Sequence, residues 1–490
     1  MGLMLFGKKE EEAPRTVSSV MVVGAGISGR GAAGVLARQG KQVFLYDDRP
    51  QELEPALTEL LQRNGGGFVC GHPEAVLPKV QQIVLSPAVP YRLPFLEEAR
   101  KQGIEVIGEV EMAWRNYAGH MVAITGTNGK TTTTTLVGEM LKTLPCKSVL
   151  GGNIGLALSV QLDGLGKDDW AAAELSSFQL ESVQDFHPDI AAVLNLTPDH
   201  IERHGSMEEY ARCKRNIFRK QTAQEITILN SDDEEVRTWG RYAKSRLCYF
   251  SRKVVLPEGA YMDDGSFFIK WDGQTHEICH RDELKIFGSH NEENVLAAIC
   301  CAFFAGVSVE NIRKVLLAFR GVEHRIEYVT TIHGVPYYND SKATNTDSTI
   351  KALEAFPKGH IILLAGGHDK GTPLGPMMEL VAEKTDALIL LGEAQERFYE
   401  AAVAAGVEHI IRADGFREAV EKAHDMALPG QVVLLSPACS SFDMFHDMGE
   451  RGRCFKDLVR GFAKEDGQQP ENTGDTAGTA AAAGNVRRNE

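Results

Sequence analysis

Residues 121–135 have the sequence MVAITGTNGKTTTTT, and this stretch decides the fold of the centre of the chain. Residues 121–125 are apolar or β-branched, which predicts a buried strand, and an apolar-periodic helix begins after the turn GTNGKT. Two glycines in that turn allow backbone N–H groups to surround an anion. The helix N-terminus and Lys130 add positive charge, and the Thr131 hydroxyl can hold a Mg²⁺ ion. The pattern predicts a nucleotide phosphate site rather than an ordinary strand-to-helix turn, although Thr125 stands where the usual loop has glycine.

Length and composition indicate a soluble protein of several domains. A chain of 490 residues is too long for one core and suggests about three domains. The net charge of −15 argues against a large surface for nucleic acid or an anionic membrane, and no apolar run reaches the roughly 18 residues of a membrane span. Nine cysteines without a C-x-x-C pair fit reduced thiols in the cytoplasm. We expect a flexible extension over residues 1–16 and a disordered tail over residues 465–490.

The N-terminal segment carries a second glycine turn. Residues 19–23 predict a strand that runs into Gly24-x-Gly26-x-x-Gly29, a helix follows, and the next strand ends at Asp47. An acidic residue about 20 positions after such glycines can hold a ribose hydroxyl in a Rossmann-type site. Residues 17–117 are therefore predicted to form a nucleotide-binding α/β domain, for NAD or for another nucleotide diphosphate. The alternative is a glycine turn that serves only the packing of helix on strand.

Predicted strands in the central segment, residues 118–323, end in charged or polar side chains. Glu174 follows one such strand, and His200 lies just beyond another. Open α/β sheets bind ligands at the carboxyl ends of their strands, so Glu174 could reach the Mg²⁺ of a nucleotide. A helix-capping carboxylate is an equally good interpretation of Glu174 on this observation alone.

Lys214 lies in the middle of an apolar stripe on a helix predicted over residues 206–220. A lysine in this position either extends its amine to solvent at the edge of the stripe or buries it. A buried amine would have to be neutralised or modified, as catalytic lysines are.

The remaining segments predict a β-rich part and a third α/β domain. Strand and turn patterns run over residues 225–285, and helices resume at His290. In residues 324–464 polar clusters follow predicted strands, at residues 340–345, 366–370 and 436–443. Each cluster could be plain turn chemistry, but three at equivalent strand ends suggest one binding surface.

Over roughly residues 17–462 these clusters, in this order, resemble the Mur ligase family. The turn GTNGKT matches the phosphate loop of that family and accounts for Thr125. The sequence LSPACSSFD at residues 435–443, followed by Arg451-Gly452, is similar to the member that adds D-glutamate, although position 440 more often holds alanine there. The resemblance implies an α/β fold of three domains: an N-terminal Rossmann-like domain, a central P-loop-type mononucleotide-binding domain with a small β-rich part, and a C-terminal Rossmann-like domain.

The resemblance also implies a role for individual residues. The expected ATP-binding residues are Gly126, Thr127, Asn128, Gly129, Lys130, Thr131, Thr132, His290, Asn291, Asn294, Arg325 and Asp340. The expected catalytic residues are Lys130, Glu174, His200 and Lys214, and the expected ligands of two Mg²⁺ ions are Thr131, Glu174, His200 and Lys214, the last as a carbamate. The residues expected to contact a UDP-linked substrate are Ser28, Asp47, Arg49, Ser86 and Asn153. The residues expected to grip D-glutamate are Lys342, Thr344, Lys370 and Ser441.

The activity implied by the resemblance is ATP-dependent addition of D-glutamate to UDP-N-acetylmuramoyl-L-alanine through an acyl phosphate, in the synthesis of peptidoglycan precursors for the cell wall. We expect a cytoplasmic monomer that binds neither nucleic acid nor membrane. Within the family the alternative is the ligase that adds L-alanine to UDP-N-acetylmuramate. Outside it, the alternatives are a nicotinamide-dependent oxidoreductase and a nucleotide-binding module without catalysis.

Overall fold

The computed structural model describes residues 17–199, 201–286, 288–356, 359–369 and 371–465. The chain divides into two compact units between Arg320 and Gly321. The first unit contains two sheets and the second contains one. In the part of the chain that the structure describes, no helix combines the length and the apolar character needed to cross a membrane.

The first sheet has five parallel strands with helices on its faces. The strands are β1 Ser19–Val23, β2 Gln42–Asp47, β3 Gly67–Cys70, β4 Gln82–Leu85 and β5 Glu105–Gly108, in the order β3-β2-β1-β4-β5. The helices are α1 Ile27–Arg38, α2 Pro55–Arg63, α3 Pro94–Lys101 and α4 Glu109–Arg115. The central strand β1 is buried along its whole length, as its unbroken apolar run requires in a sheet covered on both faces.

The second sheet has nine strands and forms the centre of the first unit. The strands are β6 His120–Thr125, β7 Ser148–Gly152, β8 Trp170–Glu174, β9 Ile190–Val193, β10 Ile226–Asn230, β11 Arg246–Ser251, β12 Gly259–Asp263, β13 Ser266–Trp271 and β14 Gln274–His280. Their order is β14-β13-β12-β11-β10-β9-β6-β8-β7, parallel from β7 to β12 and antiparallel beyond. The helices are α5 Lys130–Leu141, α6 Leu158–Leu162, α7 Ser177–Glu181, α8 Ile201–His204, α9 Met207–Arg215, α10 Glu234–Thr238, α11 Ser289–Phe304 and α12 Val309–Ala318.

Two features of this part add detail to the sequence-based predictions. The predicted β-rich part is present, and its strands continue the central sheet. The helix predicted over residues 206–220 ends at Arg215, because the next turns close with bonds from i to i+3, such as Ile217 N–H to Lys214 O at 3.2 Å. Ile217 and Phe218 are nevertheless buried, so the predicted apolar stripe is present.

The second unit contains one six-stranded sheet covered by five helices. The strands are β15 Glu327–Ile332, β16 Val335–Asn339, β17 Ile361–Gly366, β18 Thr385–Leu391, β19 Ile410–Arg412 and β20 Val432–Leu435, in the order β15-β16-β20-β17-β18-β19. The helices are α13 Thr346–Glu354, α14 Gly375–Lys384, α15 Gln395–Ala404, α16 Phe416–Met426 and α17 Met448–Glu465. The five neighbouring strands β16, β20, β17, β18 and β19 are parallel. The carboxyl ends of β16, β20, β17 and β18 therefore lie along one edge of the sheet.

Candidate active site

The turn between β6 and α5 is clamped by one amide side chain. Asn195, which follows β9, accepts the backbone N–H groups of Thr127 and Asn128 on its Oδ1, at 3.0 and 2.8 Å. Its Nδ2 donates to Asn128 O at 3.2 Å. These three bonds fix the backbone of the predicted phosphate loop. Sequence analysis did not single out Asn195, and its only signal was a polar residue directly after a buried strand.

Asn294 on α11 packs against Gly129 of the same loop. Gly129 lies in the left-handed region at φ +80°, and a Cβ added there would lie 2.1 Å from Asn294 Oδ1. That oxygen also accepts the Thr133 hydroxyl at 3.3 Å, and Asn294 Nδ2 donates to Asn291 Oδ1 at 3.2 Å. The loop therefore needs glycine at position 129 for both its backbone conformation and this close approach. His290, Asn291 and Asn294, predicted ATP contacts, all lie in the first two turns of α11.

Lys130 is the first residue of α5, and its amine bends back over the loop. Nζ donates to Gly126 O at 3.0 Å and to Thr127 O at 2.8 Å. Thr131 and Thr132 are buried beside it. The structure therefore places an ammonium group, a helix N-terminus and threonine hydroxyls around one loop, which is the arrangement that binds phosphate groups.

Glu174, the last residue of β8, is 2% exposed. Its Oε1 accepts Asn153 Nδ2 at 2.9 Å, which joins a predicted metal ligand to a predicted contact of the UDP-linked substrate. Its Oε2 is buried and has no hydrogen-bond partner among the described residues. A buried carboxylate oxygen without a donor is costly unless a cation satisfies it, so Glu174 fits the role of a Mg²⁺ ligand.

Lys214 is 1% exposed, so the structure shows the buried amine rather than one that extends to solvent. Its Nζ donates to Gly126 O of the phosphate loop at 2.7 Å and lies 4.6 Å from the centre of the Tyr210 ring. Burial, and then the positive charge of Lys130, lower the pKa of Lys214 well below its ordinary value, against the opposing charge of Asp199. The structure therefore places a lysine with an increased tendency to be neutral against the phosphate loop.

His200, the remaining predicted catalytic residue, lies outside the described residues. Within the described ranges, no three His, Cys, Asp or Glu side chains form a cluster that could hold a metal. The predicted donor set does not require such a cluster, because it consists of Thr131, Glu174, His200 and a modified Lys214.

The predicted UDP-substrate residues lie around the first glycine turn. The Asp47 carboxylate accepts Ala25 N–H at 2.9 Å and Arg49 N–H at 3.1 Å, so it shapes the turn in addition to any contact with a ligand. Ser86, after β4, lies against Gly24, where an added Cβ would be 2.9 Å from Ser86 Cβ. Ser28 is in the first turn of α1, and the Arg49 side chain is exposed.

Sequence analysis missed Ile27 in this region. The residue begins α1 beside Ser28 and is 74% exposed, which is unusual for a large apolar side chain. The signal in the sequence was an apolar residue inside the glycine motif itself.

In the second unit, the predicted ATP contacts Arg325 and Asp340 lie near the carboxyl end of β16. Asp340 is buried, accepts the Ser436 hydroxyl at 2.8 Å and accepts Ile326 N–H at 3.2 Å. Burial raises the pKa of Asp340 to about 7, against the Ser436 hydrogen bond and the positive charge of Arg325.

The predicted D-glutamate residues follow neighbouring strands of that unit. Lys342 and Thr344 come after β16, and Ser441 comes after β20 and is buried. These two strands are adjacent and parallel, so the three residues share one edge of the sheet. Lys370, which follows β17 in the sequence, lies outside the described residues.

Comparison with known proteins identifies the family of the chain. Residues 18–108 match the Mur ligase MurD-like N-terminal domain, residues 124–302 the Mur ligase middle domain, and residues 324–439 the Mur ligase glutamate ligase domain. A protein of Koribacter versatilis named UDP-N-acetylmuramoylalanine–D-glutamate ligase is 44% identical over 91% of this chain and 98% of its own length. The chain belongs to the Mur ligase family. A protein of the same name from Alkaliphilus oremlandii is 41% identical over 90% of this chain and 98% of its own length.

Solved Mur ligase structures agree with the fold. The UDP-N-acetylmuramate–alanine ligase MurC of Thermotoga maritima has a TM-score of 0.56 at 18% identity and covers 91% of this chain and 100% of its own. The MurF ligase of Thermotoga maritima, solved in complex with ADP, has a TM-score of 0.56 at 17% identity and covers 91% of this chain and 95% of its own. The predicted three-domain α/β fold and the resemblance to the Mur ligase family are thus confirmed. Membership of a ligase family does not favour the oxidoreductase alternative.

Proposed function

We propose that this Mur ligase joins D-glutamate to UDP-N-acetylmuramoyl-L-alanine at the expense of ATP, in the synthesis of peptidoglycan precursors. The relatives that are 41–44% identical over nearly their whole length carry the name of this activity. The geometric observation that carries the proposal is the buried Lys214 amine, 2.7 Å from Gly126 O of the phosphate loop. Burial of this amine costs stability. A nucleotide-binding module without catalysis has no reaction that would use the amine and so offset that cost.

ATP is the phosphoryl donor in this proposal, and the loop of residues 126–131 holds its phosphates. The N-terminus of α5 and the Lys130 ammonium neutralise their negative charge. Asn195 and Asn294 keep the loop preorganised, so that little of the binding free energy is spent on ordering it. His290 and Asn291 are proposed to contact the nucleotide from α11, and Arg325 and Asp340 are proposed as further ATP contacts.

The proposal includes two Mg²⁺ ions at this site. Thr131 and Glu174 would hold one, and His200 and a carbamylated Lys214 the other. A neutral lysine amine combines with CO₂ to give a carbamate and a proton, which exchanges a cation for a carboxylate-type ligand. The lowered pKa of Lys214 favours this reaction because only the neutral amine is nucleophilic. When bound, the ions screen the charge of the phosphates during transfer.

The reaction begins when the terminal carboxylate of the UDP-linked substrate attacks the γ-phosphorus of ATP, which forms an acyl phosphate and releases ADP. The amine of D-glutamate then attacks the acyl carbon, and the tetrahedral intermediate loses inorganic phosphate and a proton to leave the amide. A free carboxylate is a poor electrophile, so phosphorylation supplies the leaving group. Lys130 is proposed to stabilise the charge on the phosphoryl group as it moves.

The two other substrates have separate proposed subsites. The proposed subsite for the UDP-linked substrate consists of Ser28, Asp47, Arg49, Ser86 and Asn153. A second set grips the carboxylates of D-glutamate: Lys342, Thr344, Lys370 and Ser441. The nine free cysteines fit a protein that works in the cytoplasm, and we propose that it acts there as a monomer.

Phosphate release from ATP tests the proposal directly. We expect release only when UDP-N-acetylmuramoyl-L-alanine and D-glutamate are both present. Hydroxylamine added in place of D-glutamate should trap the acyl phosphate as a hydroxamate. ATP turnover that neither substrate accelerates would contradict the proposal and favour a binding module. The L-alanine-adding alternative predicts release with UDP-N-acetylmuramate and L-alanine instead, and the N-terminal match to the MurD-like domain does not favour it.

A further inference from the structure

The loop after β17 is held by a single arginine from α15. Arg397 Nε donates to Asp369 Oδ2 at 2.6 Å, and one terminal nitrogen donates to Asp369 Oδ1 at 2.5 Å. The other terminal nitrogen donates to Thr372 O at 2.9 Å. A guanidinium group that binds a carboxylate with two parallel bonds and a carbonyl with a third fixes both position and orientation. Asp369 also accepts Gly371 N–H at 2.9 Å, so these contacts join Arg397 to Asp369, Gly371 and Thr372.

The opposite side of this loop is pressed against the turn that follows β20. His368 N–H donates to Ser440 O at 3.0 Å, and Gly366 N–H donates to Pro437 O at 2.9 Å. Gly367 has φ +136°, and a Cβ added there would lie 2.5 Å from Ser440 O. The loop is therefore wedged between the turn that contains Ser441 and the start of α15.

This position makes the loop a wall of the proposed amino-acid subsite. β17 is the immediate parallel neighbour of β20, and β20 is the neighbour of β16, so the loop and Ser441 emerge from the same edge of the sheet. Because all three nitrogens of Arg397 donate to the loop, its guanidinium is directed at the protein rather than at a substrate. Its side chain is 36% exposed, so solvent weakens the ion pair with Asp369. The restraint on the loop therefore comes mainly from the fixed geometry of the three hydrogen bonds.

We infer that Arg397 is a positioning residue for the D-glutamate subsite, where it fixes residues 366–369, 371 and 372 against the Ser441 turn. The inference rests on the proposed function. Loss of the arginine removes its three hydrogen bonds to Asp369 and Thr372 and allows these residues to move away from Ser441. A displacement of about 1 Å at a binding group can cost up to a hundredfold in rate.

Steady-state kinetics of Arg397→Ala test this inference. We expect the KM for D-glutamate to rise about tenfold or more, with the KM for ATP within about twofold of the wild-type value. Arg397→Lys keeps the charge but loses the fork, so it should recover part of the loss. The control is Arg412→Ala. Arg412 lies at the end of β19, pairs with Glu396 of α15 at 2.8 Å and stacks on Tyr399.

A selective rise in the KM for D-glutamate, partly reversed by lysine and absent in the control, would support the inference. An unchanged KM, or equal changes for D-glutamate and ATP, would overturn it. If Arg397→Ala does not fold, Asp369→Asn decides the question in the same assay, because asparagine removes the charge but can still accept Gly371 N–H. A wild-type protein without D-glutamate-dependent phosphate release would overturn the proposed function and the inference with it, whereas an active wild type with an unaffected variant overturns the inference alone.

Discussion

Replacement of Gly129 by alanine should damage ATP binding specifically. The left-handed backbone at φ +80° costs a residue with a Cβ about 1–2 kcal/mol. The new methyl group would also lie 2.1 Å from Asn294 Oδ1, so Asn294 has to move and give up its hydrogen bonds to Thr133 and Asn291, at about 1 kcal/mol each. If the free loop relaxes to relieve this strain, ATP binding has to restore the strained shape. We therefore expect ATP affinity to fall by about 3 kcal/mol, or roughly a hundredfold.

Gly164→Ala is the matched control for that prediction. Gly164 has nearly the same backbone conformation, at φ +82°, but no described atom lies within 4 Å of an added Cβ. It should lower stability by about 1 kcal/mol and leave ATP affinity unchanged. Calorimetric titration with ATP, paired with thermal unfolding of both variants, separates the two effects. ATP affinity equal to that of the wild type in Gly129→Ala would refute the account of the loop.

Three further predictions follow from the charged groups of the site. Lys214→Ala should abolish turnover, and a short carboxylic acid should partly restore it by replacing the carbamate; full activity of this variant in the phosphate-release assay would exclude a ligand role for Lys214. Glu174→Gln should lower kcat by about a hundredfold or more and raise the Mg²⁺ concentration needed for half-maximal rate, whereas a structural role alone would leave the Mg²⁺ dependence unchanged. Because the pKa of Asp340 is raised to about 7 in the folded protein, the folded state binds the extra proton between about pH 4 and 7, and the contribution of Asp340 to stability falls as pH rises through that window. Asp340→Asn should remove this pH dependence of stability, which thermal unfolding of both proteins between about pH 4 and 7 would measure. If the wild type and the variant lose stability equally with rising pH, the account of Asp340 is wrong.

The parts of the structure that follow from local sequence could be predicted. The phosphate loop follows from a strand, a glycine turn and a helix within fifteen residues, and all three are present. Helical periodicity placed Lys214 on the apolar stripe but left open whether its amine reaches solvent or is buried, and the structure shows it buried. The three α/β domains followed from the alternation of strands and helices along the chain.

Contacts between distant residues could not be predicted from the sequence. Asn195 clamps a loop that lies 67 positions earlier, and Asn294 meets Thr133 across 161 positions. Local pattern identifies such residues only as polar, since their partners depend on how strands are ordered in the sheet. For the same reason, the sequence predicted a β-rich part in the central domain but not that its strands extend the central sheet.

Arg397 shows the same limitation at the second subsite. Its helix could be expected from the alternation of strands and helices, but nothing near position 397 indicates that the side chain holds the turn after another strand. The roles of His200 and Lys370, which lie outside the described residues, stay predictions from the resemblance.

The most direct test of the proposed function is phosphate release from ATP and UDP-N-acetylmuramoyl-L-alanine with D-glutamate, L-glutamate, L-alanine and L-lysine offered separately. Release with D-glutamate alone is the predicted result, and it would connect the subsite of Ser441 with its amino acid. Release with another amino acid would keep the ligase chemistry but contradict the assignment of the second unit. Absence of release with all four would contradict the proposed function.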